Sequence, residues 1–177
     1  MYKKISSIIV VLGLVIASHV ASAGPHYNVN DYYQVYKEGR IYVFDDYQTY
    51  SSFNQVGETA YRLTRIGAGP KGETVVFGLQ NKDKKMSSGI GSVDLYDGKT
   101  EASTDGFYGE VVKDGRIHVF SEWADLKSFL EIGEVPYRYT QIGSGPKGET
   151  VVYVLNKSNK KKKPDALIAE FESKHGK

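Results

Sequence analysis

One unit is written twice in this chain, and that duplication limits the possible folds more than any other feature. Gly39-Arg40-Ile41-Tyr42-Val43-Phe44 returns, 76 residues later, as Gly115-Arg116-Ile117-His118-Val119-Phe120. The offset holds without a gap from Gly39–Leu79 to Gly115–Leu155, with more than half of the positions identical. The longest shared run, Gly69-Pro70-Lys71-Gly72-Glu73-Thr74-Val75-Val76, recurs from Gly145 to Val152. Solenoid units run to about 20–50 residues, so this longer period marks a tandem duplication of one supersecondary unit.

Local patterns give both copies the same order of elements. Gln34 to Tyr36 and Arg40 to Phe44 flank Lys37-Glu38-Gly39, a Gly-containing connection that predicts a β-hairpin. Lys113-Asp114-Gly115 repeats it with the stronger Asp-Gly pair. A helix follows, capped by Asp45 or Asp46 in copy one and by Ser121 in copy two, because a side-chain oxygen satisfies the first free N–H groups. Tyr47, Tyr50 and Phe53 fall at helical spacing, as do Trp123, Leu126, Phe129 and Leu130. Gly57 and Gly133 supply the left-handed stop. A second hairpin pairs Tyr61–Ile66 with Thr74–Leu79 through a Gly- and Pro-containing turn.

Each copy therefore reads as ββαββ around one short helix, and the fold class expected is α+β with antiparallel sheet or sheets. A unit of some 50 residues buries little apolar area by itself. The two copies are expected to share one assembly about a pseudo-twofold axis. The divisions are a leader at 1–23, repeat one at 24–80, a linker at 81–105, repeat two at 106–156, and a Lys-rich tail with a short C-terminal helix at 157–177.

The leader reading rests on Lys3 and Lys4, the apolar run from Ile8 to Ile16, and Ala21-Ser22-Ala23, a small-x-small cleavage pattern. Export with cleavage near Ala23-Gly24 is expected, to the periplasm or the exterior, with no transmembrane anchor in the mature chain. Removing two lysines leaves 21 basic against 21 acidic residues. Seven lysines and three acids lie in 157–177, so residues 24–156 carry 14 basic and 18 acidic groups, a net −4. An acidic body argues against nucleic-acid binding, which wants a basic patch on the fold. With no cysteine there is no disulfide and no thiolate chemistry.

The motifs that resemble chemistry mostly fail on context. Gly67-x-Gly69-x-x-Gly72 and Gly143-x-Gly145-x-x-Gly148 match the dinucleotide fingerprint, but it works by opening a helix onto the pyrophosphate, and here a strand follows. Asp94, Asp97, Glu101 and Asp105 cluster in the linker without the calcium-loop register. No metal and no cofactor are expected, and no catalytic residue is assigned.

Two features remain for function. Arg40, Glu58, Arg62 and Glu73 recur as Arg116, Glu134, Arg138 and Glu149, either as a pair of equivalent anion sites or as register-fixing ion pairs. Tyrosine is abundant, 14 in all, and its stiff contact area with a polar tip suits recognition as well as a small core. Positions that differ between the copies, Tyr42/His118, Asp45/Ser121 and Tyr47/Trp123, are the specific-contact candidates, with Arg40 and Arg116 adding positive charge. The leading expectation is an exported, non-catalytic binding protein whose partner is another protein or an envelope glycan. The alternatives are a small-molecule or ion binder using a cleft between the copies, and a cell-wall or glycan hydrolase. Lys160, Lys161, Lys162 and Lys163 offer a further contact to an anionic surface.

Overall fold

The computed structural model describes residues 27–176, and the expected leader lies outside them. Copy one comprises β1 (Asp31–Lys37), β2 (Arg40–Phe44), α1 (Tyr47–Val56), β3 (Tyr61–Arg65), β4 (Thr74–Leu79) and α2 (Gly91–Tyr96). Copy two repeats the order as β5 (Tyr108–Lys113), β6 (Arg116–Phe120), α3 (Trp123–Ile132), β7 (Tyr137–Gln141), β8 (Thr150–Leu155) and α4 (Asp165–Lys174). The β1–β2 turn has φ of 52° at Glu38 and 70° at Gly39, both positive, the hand that matches strand twist. Asp46 caps α1, its carboxylate accepting from Thr49 N at 2.8 Å. Gly57 and Gly133 end α1 and α3 at φ of 82° and 83°. Ser121 does not cap α3: Glu122 holds that position and makes no side-chain cap bond. Residues 81–105 carry α2, which lies 76 residues before the corresponding part of α4.

The eight strands form a single sheet in the order β3-β4-β2-β1-β5-β6-β8-β7. The expectation of antiparallel sheet is corrected here, because the sheet is mixed. The four hairpin ladders β1–β2, β3–β4, β5–β6 and β7–β8 are antiparallel. β2–β4, β6–β8 and the central β1–β5 ladder are parallel. A short turn forces antiparallel pairing, whereas a long connection through α1 and β3 leaves β4 free to return parallel to β2.

The halves are mirrored in strand order and joined by parallel central strands, so the relating twofold axis runs along the strands in the plane of the sheet. Such an axis exchanges the faces. Val35, Phe44 and Phe53 belong to one apolar layer, while their equivalents Val111, Phe120 and Phe129 belong to the other. One layer is covered by α1 of copy one and α4, which supply Tyr50, Phe53, Leu167, Ile168 and Phe171. The opposite layer is covered by α2 and α3, which supply Val93, Leu95, Trp123, Leu126 and Phe129. Each core is thus built from both copies, and neither copy can complete one alone.

The glycine fingerprints are turns, and the second ties the halves together. Glu73 accepts from Lys71 N at 2.8 Å and Glu149 from Lys147 N at 2.7 Å, closing each loop on itself. Lys147 Nζ donates to the carbonyl of Asn54 near the end of α1, where a cation is favoured by the helix dipole.

Asp45 fixes the start of α2. Its carboxylate is buried and accepts from Ser92 N at 2.8 Å. A Cβ on Gly91 would stand 2.6 Å from both Asn28 O and Asp45 Oδ2, so only glycine allows this approach. Burial pushes the Asp45 carboxyl up to about 6, with Asp83 and Asp46 adding to the rise and Ser92 N opposing it. The folded state therefore holds this proton more tightly than the unfolded chain. Stability from this group is greatest below pH 4 and falls as pH rises to about 6, by about 3 kcal/mol at most. Asp45→Asn should match the wild type at pH 4 and exceed it by about 2 kcal/mol at pH 7, as read from urea unfolding at the two pH values.

Candidate functional site: two equivalent grooves

On each half a stretch of sheet face is left uncovered beside the end of the helix. In copy one, three strands present a grid of side chains whose rows follow from the ladder register. Arg40 stands beside Thr74 with Ile66 beyond, Tyr42 beside Val76 and Thr64, and Arg62 lies beside Gly78. Glu58 and Gly57 form the wall toward α1. Copy two builds the same groove from Arg116, Thr150, Ile142, His118, Val152, Thr140, Arg138, Glu134 and Gly133. The first groove holds about 510 Å³ and the second about 620 Å³. Because the twofold exchanges faces, the two open on opposite sides of the sheet.

The charge in the grooves is uncommitted. Among the described residues, Arg40, Arg62, Arg116 and Arg138 have no ion pair with Glu58, Glu134, Glu73 or Glu149. The proposed register-fixing pairs are therefore not formed, and Glu73 and Glu149 are engaged in their own turns. A guanidinium fork is suited to bidentate contact with a carboxylate, and the threonine hydroxyls add short-range donors and acceptors. His118 stacks 4.4 Å from Phe129 much as Tyr42 stacks 4.5 Å from Phe53. Burial holds the His118 imidazole below its usual range, and Arg116 and Lys113 lower it further, so the ring is neutral at pH 7.

The residues singled out from sequence as contacts do not meet in one cleft. Arg40 and Tyr42 line the first groove, and Arg116 and His118 the second. Asp45 fixes α2. Tyr47 stands beside His175, its hydroxyl 3.3 Å from Nδ1. Trp123 is 8% exposed and packs edge-on to Tyr32 and Phe107. The linker acids Asp94, Asp97 and Glu101 are paired off: Asp97 binds Arg65 and Lys99, Glu101 binds Lys127, and Asp94 accepts from Tyr27 and lies 3.8 Å from Lys99. In the lysine run, Lys160 lies over the Tyr137 ring at 4.2 Å and Lys163 pairs with Asp165 at 2.8 Å.

Sequence reasoning passed over Thr64, Ile66 and their equivalents. The signal was present in the duplication. Ile66 is 90% exposed and Ile142 is 89% exposed, yet isoleucine stands at both places. No family model, no curated protein and no solved structure matches this chain, so the reading of the grooves rests on their geometry.

Proposed function

We propose that the mature chain is an exported, non-catalytic binding protein, periplasmic or secreted after cleavage near Ala23-Gly24, that holds a partner macromolecule through two equivalent grooves. One observation carries this reading. Along the ten positions of α1 and α3, only Ser52/Ser128 and Phe53/Phe129 are identical. Around the grooves, Arg40, Gly57, Glu58, Arg62, Thr64, Ile66, Thr74 and Val76 all recur unchanged. Core positions such as Ile41, Val43 and Val75 recur because packing demands it, but Arg40, Glu58, Arg62, Thr64 and Ile66 are exposed. Exposed positions free of structural duty tend to diverge after duplication, as most of those on the helices did. The placement of Arg40 and Arg116 in separate grooves also favours two sites over a single inter-repeat cleft for a small ligand.

Two equivalent sites on opposite faces suit a partner with a repeated epitope, where the second contact adds avidity without new chemistry. The test is affinity capture of residues 24–177 from an envelope extract of the source cells, with partners identified by mass spectrometry. Arg40→Ala with Arg62→Ala should lower capture at least tenfold, and adding Arg116→Ala and Arg138→Ala should abolish it. Capture that survives all four substitutions refutes the reading.

A further inference from the structure

We propose that the occupant of each groove is an extended, acidic segment of a partner protein, added as a strand to the edge at β3 and at β7. Its carboxylates face Arg62 and Arg138, and its aliphatic side chains lie beside Ile66 and Ile142. This rests on the two-groove reading and names what the grooves take.

β3 and β7 are the outermost strands of the sheet, so one side of each backbone is free of ladder bonds and open to strand addition. The far face of β3 is already engaged, with Leu63 packed on the core and Arg65 bonded to Asp97 at 2.7 Å. On β7, Gln141 accepts from Tyr153. The groove side of β3 instead presents Arg62 and Thr64, with Ile66 two residues further on, just past the end of the strand. An added strand repeats its own side chains at the same interval, about 6.6 Å, and so meets an arginine and a threonine on the strand and the isoleucine just past its end.

The charge selects the occupant. The second groove sets Arg116 and Arg138 against one carboxylate, Glu134, and the first sets Arg40 and Arg62 against Glu58 and a rim Glu38 that lies 4.0 Å from Lys37. The excess is positive, so an acidic segment is favoured and a basic one is opposed. Natural edges are blunted by charge and shortness, and an exposed isoleucine works against that protection. Keeping it at both edges fits a surface that is covered in use.

The experiment is an NMR titration of ¹⁵N-labelled residues 24–177 with a capped nine-residue serine-rich peptide carrying one glutamate and one valine four residues apart, so that both fall on one face of the added strand. The controls are its lysine-for-glutamate counterpart and a version N-methylated on the strand-facing amides. Two equivalents should bind, with amide shifts confined to β3, β7 and the groove walls. Arg62→Glu and Arg138→Glu should each remove one equivalent, and the lysine and N-methylated peptides should bind at least tenfold more weakly. All four arginines are exposed, so these variants should retain the wild-type melting curve, which is checked first. No binding, equal binding of the lysine or N-methylated peptide, or shifts elsewhere overturns the proposal. Self-association through the same edges in the absence of peptide also overturns it, with a second copy as the occupant. If the peptide fails while the groove variants still lose the captured partner, the occupant is wrong and the two-groove reading stands. If those variants keep the captured partner, the two-groove reading itself falls.

Discussion

Replacing Glu110 with alanine is expected to cost about 3–5 kcal/mol without altering either groove. Glu110 is fully buried on β5 and accepts from Tyr50 at 2.7 Å, Tyr108 at 2.6 Å and His175 Nε2 at 2.9 Å. Burial holds the Tyr50 and Tyr108 phenols well above their ordinary range, and the Glu110 charge raises them further, so both remain donors. Deleting the carboxylate leaves three donors facing a dry interior, and an unpaired buried group costs more than a made bond contributes. Copy one shows the neutral version of this site. Gln34 occupies the place of Glu110 and accepts from Tyr32 at 2.7 Å, while Leu126 and Lys99 replace Tyr50 and His175. Gln34→Glu should therefore be costly at pH 7, since its buried carboxylate would have only the Tyr32 and Tyr36 hydroxyls beside it and neither the third donor nor the imidazole that Glu110 has. That cost should shrink toward pH 4, because the buried acid keeps its proton in the folded state and loses it more readily in the unfolded one. Urea unfolding at both pH values measures this, and a Glu110→Ala variant within 1 kcal/mol of wild type would contradict it.

How much of this was legible beforehand divides along the range of the interactions. The hairpins, the helix after each first hairpin and the glycine stops follow from neighbours in sequence, and these were readable from Asp114-Gly115, Tyr50/Phe53 and Gly57/Gly133. Pairing between distant strands carries no such local mark. Val75 and Val151 are the same residue in the same pattern whether their strand returns parallel or antiparallel, so the mixed sheet could not be read. The exchange of faces was equally hidden, because it depends on β1 and β5 meeting side by side. α2 escaped notice because its six residues, Gly-Ser-Val-Asp-Leu-Tyr, include poor helix formers and are held by Asp45 from another element. As for the grooves, the positions that differ between the copies point elsewhere, whereas Arg40, Glu58, Arg62, Thr64 and Ile66, exposed and alike in both copies, are among those gathered around each opening. Difference marked the interior instead: Tyr50/Leu126 and Gln34/Glu110 report which face received the buried acid. Tyrosine abundance is partly explained in the same way, since Tyr47, Tyr50 and Tyr108 surround Glu110 and His175.

Removal of residues 164–177 is expected to abolish cooperative folding. Although it follows a run of lysines, α4 is one of the two helices covering its face of the sheet. Leu167, Ile168 and Phe171 are buried there, and the Phe171 ring meets Tyr153 edge-on at 5.9 Å. Burying three such side chains contributes about 6 kcal/mol, and the truncation also strips His175 from Glu110. Lys174, which bonds Asp31 at 3.2 Å and lies 4.6 Å from the Tyr108 ring, goes with it. Against a total stability of about 5–15 kcal/mol for a domain, the loss leaves little margin, and the Ile117, Val119 and Val151 beneath become solvent-facing. The truncated chain should lose its near-ultraviolet circular dichroism and its sharp thermal transition. Changing Lys160, Lys161, Lys162 and Lys163 to serine should by contrast shift stability by less than about 1 kcal/mol, since exposed charges and cation–π contacts are worth little. Together the two variants separate the tail's packing helix from its charged run. If the truncated chain melted within a few degrees of the full one, α4 would be an accessory, and the two-copy core would have to close its face without it.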